Sequence, residues 1–217
     1  MATKKIVVLI SGSGSNLQAL IDKLHKQQMN DHTAEIVAVI SNKADAYGLQ
    51  RAKDAGIQAL TVESKGIASR EQYDAQLMSE LDNLEPDLIL LAGFMRILTP
   101  EFVNQYQGKM LNIHPSLLPK YQGVNTHQRA IDAGDKEHGA SVHFVTPELD
   151  AGPTILQAKV PIFTEDTAKD LAERVLTQEH QIYPLAASWF ITGRLIMQEQ
   201  YAFLDGQQLD KFGYAAD

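Results

Sequence analysis

The residues best equipped for chemistry sit in one short stretch, LNIHPSLLP, residues 111–119. Asn112 and His114 lie two apart at the end of an apolar run that reads as a strand. On an extended backbone they project to the same side, and Ile113 between them faces the other way. A carboxamide donor beside an ionisable imidazole is a pairing that stabilises a developing oxyanion. The carboxyl end of a strand in an open parallel sheet is where such folds hold ligands. Pro115 and Pro119 stiffen the loop that follows. Asp150, in the turn-rich PELDAGP loop, is the candidate third member. A carboxylate beside an imidazole holds the ring and favours its charged form. Spacing alone does not bring residue 150 to residue 114, and an Asp before Gly152 also reads as a plain turn former.

Three further places carry side chains that the fold alone does not ask for. SGSGSN, residues 11–16, lies between an apolar run and a helical pattern. Unpaired amides and the helix dipole favour an anion there. The dinucleotide fingerprint needs a third glycine where Leu17 stands, and an acidic residue after the second strand, where Ser41 and Asn42 stand. A Walker ending is absent too. What remains is a terminal monophosphate site, with Ser13, Ser15 and Asn16 as extra hydrogen-bonding groups, or a tight turn with no ligand. Glu179 falls on the apolar stripe of a helix with Ala168, Ala172, Val175, Ile182 and Ala186. A buried carboxylate without a partner is costly, so Glu179 is a paired core residue or faces a ligand amine or sugar hydroxyls. GFMRILTP, residues 93–100, puts Met95, Ile97 and Leu98 where a connection should be polar. It lines a pocket for a flat apolar ligand, or it is ordinary packing. The seven His show no ligand spacing and there is no Cys, so no metal is expected.

The elements that must position these groups follow from periodicity. Apolar runs at residues 6–10, 36–40, 57–62 and 87–92 predict strands. Helical patterns follow them, the first from Ser15 to about residue 28, with Ser15 and Gln18 at capping-box spacing. Asp45 reads as the cap of the second helix, which Gly56 stops, and Ser69 with Gln72 opens the third, to about Leu84. Thr99-Pro100 opens another. Residues 110–114 form a short strand, residues 128–133 a helix, and residues 140–146 and 154–162 a strand pair. A long helix starts near Thr167 with Asp170 at the third position, and Pro184 kinks or ends it. The polar tail from Gly206 is left unassigned. Alternating β-α pairs give an α/β fold. The expectation is a single-domain, Rossmann-like, mostly parallel twisted sheet with helices on both faces and some antiparallel strands in the C-terminal half. That one domain spans 1–217, with a phosphate-binding half of about 1–108 and a catalytic half of about 109–217.

Bulk properties agree. The 217 residues suit one core, with 44% apolar and 21% charged side chains. A net charge of −8 without a dense basic run disfavours nucleic acid. No apolar run reaches the length of a signal or membrane segment. With no cysteines, a cytoplasmic location is expected.

SGSGSNLQAL, SNKADAYGL, LAGFMRIL, NIHPSLLPKYQG, HFVTPELDAGP and TQEHQIYP occur in that order. Together they resemble the phosphoribosylglycinamide formyltransferase family, over nearly the whole chain. The resemblance implies transfer of the formyl group of 10-formyltetrahydrofolate, a co-substrate, to the amine of phosphoribosylglycinamide in purine biosynthesis, without metal. It implies a tetrahedral intermediate stabilised by Asn112 and His114, with Asp150 tuning the imidazole. It places Gly14, Ser15, Asn16 and Glu179 on the phosphoribosylglycinamide side. Arg70, Met95, Arg96, Ile97, Leu98, Asn112, Thr146, Pro147, Glu148, Leu149 and Asp150 fall on the folate side. The expected partners are small-molecule substrates, not nucleic acid or membrane, and the expected state is a monomer or weak homodimer. Gln122, Asn125 and Leu176 depart from the family's usual residues and put secondary ribose contacts in question. The competing readings are a formyltetrahydrofolate hydrolase or another formyltransferase of the same superfamily, and a non-catalytic nucleotide-binding module. The hydrolase and the formyltransferase of initiator methionyl-tRNA usually carry an extra domain, and a chain of this length is expected to hold neither.

Overall fold

Residues 6–10 are wholly buried, as a strand covered on both faces requires. In the computed structural model, which describes residues 2–214, they form the second half of a central strand, β1 (Ala2–Ile10). Chain order continues through α1 (Ser15–Leu24), β2 (Gln28–Met29), β3 (His32–Ser41), α2 (Gly48–Asp54), β4 (Gln58–Thr61), α3 (Arg70–Leu84) and β5 (Leu88–Leu91). The second half adds α4 (Pro100–Gln105), β6 (Met110–His114), α5 (Thr126–Asp132), β7 (Glu137–Phe144), β8 (Thr154–Pro161) and α6 (Ala168–Ile191). A separate antiparallel sheet of β9 (Leu195–Gln198), β10 (Tyr201–Leu204) and β11 (Gln207–Gln208) ends the described chain.

The main sheet runs β2-β3-β1-β5-β6-β7-β8, with β4 also paired to β3. Pairings β3–β1, β1–β5, β5–β6 and β3–β4 are parallel, whereas β6–β7 and β7–β8 are antiparallel. Side chains alternate across it. Ile6, Val8 and Ile10 pack with Leu17 and Leu20 of α1 and with Leu171, Val175 and Tyr183 of α6. Val7 and Leu9 pack with Tyr73, Leu77 and Leu81 of α3 and with Phe102 of α4. The expected α/β sheet, parallel first and antiparallel later, is therefore the fold.

Three caps are as expected. Ser69 accepts from the Gln72 amide, Thr99 from the Phe102 amide with Pro100 behind it, and Thr167 with Asp170 forms a full capping box. Others differ. Helix α1 has no side-chain cap; Gly14, at φ 73°, precedes it, and Ser15 is its first residue. It stops at Leu24 because Lys26 turns to positive φ and bonds Ala34, starting the β2–β3 hairpin. Asp45 does not cap α2, whose start at Gly48 is fixed by a tertiary bond from the Gly48 amide to the Gly12 carbonyl. Pro184 does not end α6, which runs seven residues further to Ile191. Proline has no N–H for the carbonyl four residues back. That carbonyl, His180 O, is taken instead by Lys23 Nζ at 3.0 Å. The Tyr183 hydroxyl lies 2.9 Å from Leu91 O and 3.0 Å from Leu111 O, pinning α6 beneath β5 and β6. The polar tail supplies β11; residues 215–217 lie outside the described residues.

Candidate active site

Strand β6 carries Asn112 and His114 on one side and Leu111 and Ile113 into the core on the other, as the period of two requires. Asp150 reaches this edge from the 146–152 loop. It adopts φ 50°, a left-handed conformation that Asp tolerates better than most residues. Its Oδ2 lies 3.5 Å from His114 Nδ1 and accepts the Gly123 amide at 2.9 Å. Its main-chain oxygen accepts from Gln122 Nε2 at 3.3 Å, so one departing residue supports the acidic loop. His114 is 5% exposed, and its Nε2 lies 2.9 Å from the Tyr121 carbonyl. A carbonyl only accepts, so Nε2 carries a proton, and Nδ1 faces a carboxylate. Both ring nitrogens thus point at acceptors. At 3.5 Å the Nδ1–Oδ2 contact is longer than a short hydrogen bond, so a third group can approach Nδ1.

His143 completes the cluster. In the β6–β7 register it sits opposite Asn112. Its Nδ1 donates to Phe144 O at 2.8 Å, which leaves Nε2 as an acceptor for Asn112 Nδ2 at 3.1 Å. Burial pushes His143 down to about 4, so it stays neutral and keeps this tautomer. Asn112 Nδ2 is thereby oriented, with its second hydrogen still available. His143 is absent from the sequence-predicted site; its signal in the sequence is the alternation in ASVHFVT, which means nothing until the β6–β7 register is known.

Between the loops after β5 and β7 lies a cleft of about 100 Å³. Arg96, Ile97, Leu98, Asn112, His143 and residues 146–150 line it. Met95 is 71% exposed and Arg70 is exposed at the start of α3; neither lines the cleft. Leu98 is buried and Ile97 half exposed, so the segment combines the pocket and packing alternatives. The Arg96 guanidinium stacks 4.1 Å from the Tyr73 ring centroid, with Nε buried and unpartnered among the described residues.

The glycine loop stands on the same edge of the sheet. Asn16 Nδ2 donates to Glu179 Oε2 at 2.6 Å, and burial raises the Glu179 carboxyl while this bond opposes the rise. Asn16 Oδ1 is buried without a partner among the described residues. Glu179 is therefore a paired carboxylate that also borders an unsatisfied acceptor. Ser11 links the glycine loop to the GFMRILTP segment: its hydroxyl accepts from the Met95 amide at 2.7 Å and donates to Asn42 Oδ1 at 2.5 Å. A wider groove of about 1020 Å³ lies by Leu117, Trp189 and Tyr214, but Asn112, His114, Asp150 and Glu179 do not line it. Among the described residues no group of three or more His, Asp or Glu is arranged to hold a metal ion.

A parallel sheet with an Asn-His-Asp cluster at its edge and a glycine loop beside it defines a class. The formyl transferase family profile matches residues 4–187, and the chain belongs to that family. It is 59% identical to the phosphoribosylglycinamide formyltransferase of Escherichia coli (strain K12) over 98% of this chain and 99% of that protein. It is 47% identical to the trifunctional purine biosynthetic protein adenosine-3 of Drosophila melanogaster, over 91% of this chain and 14% of that longer protein. The solved phosphoribosylglycinamide formyltransferase of Coxiella burnetii superposes with a TM-score of 0.91 at 51% identity, covering 98% of each chain.

Proposed function

We propose that the chain is a phosphoribosylglycinamide formyltransferase, moving the formyl group of 10-formyltetrahydrofolate to the amine of phosphoribosylglycinamide in purine biosynthesis. The single observation that carries this is the 3.5 Å contact of His114 with Asp150, 36 residues later in sequence, at the sheet edge where Asn112 shares a side of β6 with His114. The site fits both substrates by chemistry: a part-apolar cleft beside Arg96 for the folate, and amides with an unsatisfied Asn16 oxygen for the ribonucleotide.

In this account the substrate amine adds to the formyl carbon and its oxygen becomes negative. Asn112 donates its free Nδ2 hydrogen to that oxygen, and the protonated His114 ring faces the same charge, a preorganised electrostatic site. As the tetrahedral intermediate collapses, the new C–N bond stays, the bond to the folate nitrogen breaks, and His114 supplies the proton that nitrogen needs. Asp150 holds the ring by Nδ1 and complements its charge. The proton lost by the substrate amine leaves toward Asp150 through water. Gly14, Ser15 and Asn16 hold the phosphate on helix-start amides, and Glu179 accepts from the amine or sugar hydroxyls. Arg70, exposed at the start of α3, meets the folate's acidic tail. We also place the enzyme in the cytoplasm, acting on small molecules and not on nucleic acid.

Formyl transfer assayed with and without the ribonucleotide tests this. The account predicts folate turnover only when the amine substrate is present. Turnover without it overturns the assignment in favour of a hydrolase, and no turnover in either case overturns it in favour of a binding module.

A further inference from the structure

The SNKADAYGL segment, residues 41–49, and the helix it leads into supply no group to the chemistry above, yet α2 presses its first turn against the glycine loop. Any anion held at that loop meets a difficulty in the loop's own carbonyls. Gly12 and Ser13 each present lone pairs next to amides that must face a phosphate. Both oxygens are engaged by α2. The Gly48 amide donates to Gly12 O at 3.0 Å, and Arg51 Nε donates to Ser13 O at 2.8 Å. The guanidinium is fixed in two more directions. Its NH1 group reaches Gln18 Oε1 at 3.3 Å, and its centre lies 5.0 Å from the Tyr47 ring centroid. The helix approaches this closely because residue 48 is glycine: a Cβ there would stand 2.3 Å from Ile10 Cδ1 and 3.3 Å from Gly14 Cα.

We infer that Arg51 is a positioning residue for the phosphate-bearing substrate. It draws the Ser13 carbonyl back toward α2, steadies the left-handed turn at Gly14, and so turns the amides of residues 14–16 toward the phosphate. It also lends a fixed positive charge beside the loop, on a protein whose net charge of −8 repels a dianion. Arg suits this role because its planar fork serves a carbonyl, an amide oxygen and an aromatic face at once. The inference rests on the formyltransferase reading and deepens it at the phosphate end.

The test uses the full chain with Arg51→Met and Arg51→Lys. KM for each substrate and kcat are measured, with inorganic phosphate as a competitor and thermal unfolding as a control. For Arg51→Met the expected result is a rise of roughly tenfold or more in KM for the ribonucleotide and in Ki for phosphate, the scale of one lost charge-assisted bond. KM for the formyl donor and kcat stay within about twofold of wild type on the same scale. Arg51→Lys keeps the charge but not the fork, so it loses only about threefold, and it decides the matter should the methionine variant not fold. A purely structural role lowers the unfolding temperature and leaves the KM split absent. A folded variant with unchanged ribonucleotide KM and phosphate Ki, or with equal losses for both substrates, overturns the inference. If the wild-type protein itself ignores phosphate and ribonucleotide alike, the parent reading falls and this inference with it; if it binds both and the variants bind them equally well, only this inference falls.

Discussion

Replacing Gly14 by alanine should separate the phosphate end of the site from the chemical end. Gly14 sits at φ 73°, where a side chain costs about 1–2 kcal/mol. The added Cβ would stand 2.8 Å from the Gly48 Cα, a backbone atom that cannot swing aside, and 3.4 Å from Arg51 Cδ and Leu17 Cδ2. The loop must therefore shift away from α2 by a few tenths of an ångström, and the amides of residues 14–16 lose their common focus. If one charge-assisted bond to the phosphate fails, the loss is about 1.5–3 kcal/mol, and at tenfold per 1.4 kcal/mol the ribonucleotide binds roughly 10- to 100-fold more weakly. The backbone strain appears separately, as a fall in Tm of about 2–4 °C per kcal/mol for a chain of this size. Kinetics with the ribonucleotide varied at saturating formyl donor, together with a calorimetric Kd, give both quantities. Lower Tm with unchanged affinity would refute the reasoning, because it would mean that the strained loop does not hold the substrate.

Two further outcomes follow from groups away from the phosphate. Burial pushes His143 and His138 each down to about 4, whereas their unfolded rings titrate near 6.5. Between those values the unfolded chain binds more protons, so stability is full above about pH 6.5 and falls as pH drops toward 4. The loss is on the order of 3 kcal/mol at most for each ring; urea midpoints taken at pH 7.5, 6 and 5 that stayed level would contradict this. Lys23→Met strips His180 O of the donor that stands in for the missing Pro184 amide, and should lower the urea-derived unfolding free energy by about 1 kcal/mol, with no loss if water replaces the ammonium.

Much of the architecture is readable because strands covered on both faces read as short continuous apolar runs and amphipathic helices repeat every 3.6 residues. The pattern at residues 6–10 and the stripe through Leu17, Leu20, Ile21 and Leu24 are such cases. Caps were readable where the bond is local, as at Ser69 and Thr167, and not where tertiary contacts decide, as at Gly48. The β9–β11 sheet went unassigned although Asp205 and Gly206, at φ 52° and 79°, form the Asp-Gly turn that favours a two-residue hairpin. Its strands are only four, four and two residues long, too short for a period to show in LIMQ, YAFL and QQ. Within the site, Asn112 and His114 stand out because two residues apart on a strand share a side. Asp150 needed a contact across the fold. His143 needed the antiparallel register, and Arg51 needed the packing of α2 on the loop, neither of which spacing encodes.

The most direct test of the central claim is turnover of His114→Ala at saturating concentrations of both substrates, with the ribonucleotide Kd measured alongside. The ring touches Asp150 and Tyr121 rather than the glycine loop. The account therefore predicts a kcat lower by about 10²- to 10⁴-fold with the Kd nearly unchanged. A variant that turns over at close to the wild-type rate would remove His114 from the chemistry and the account with it.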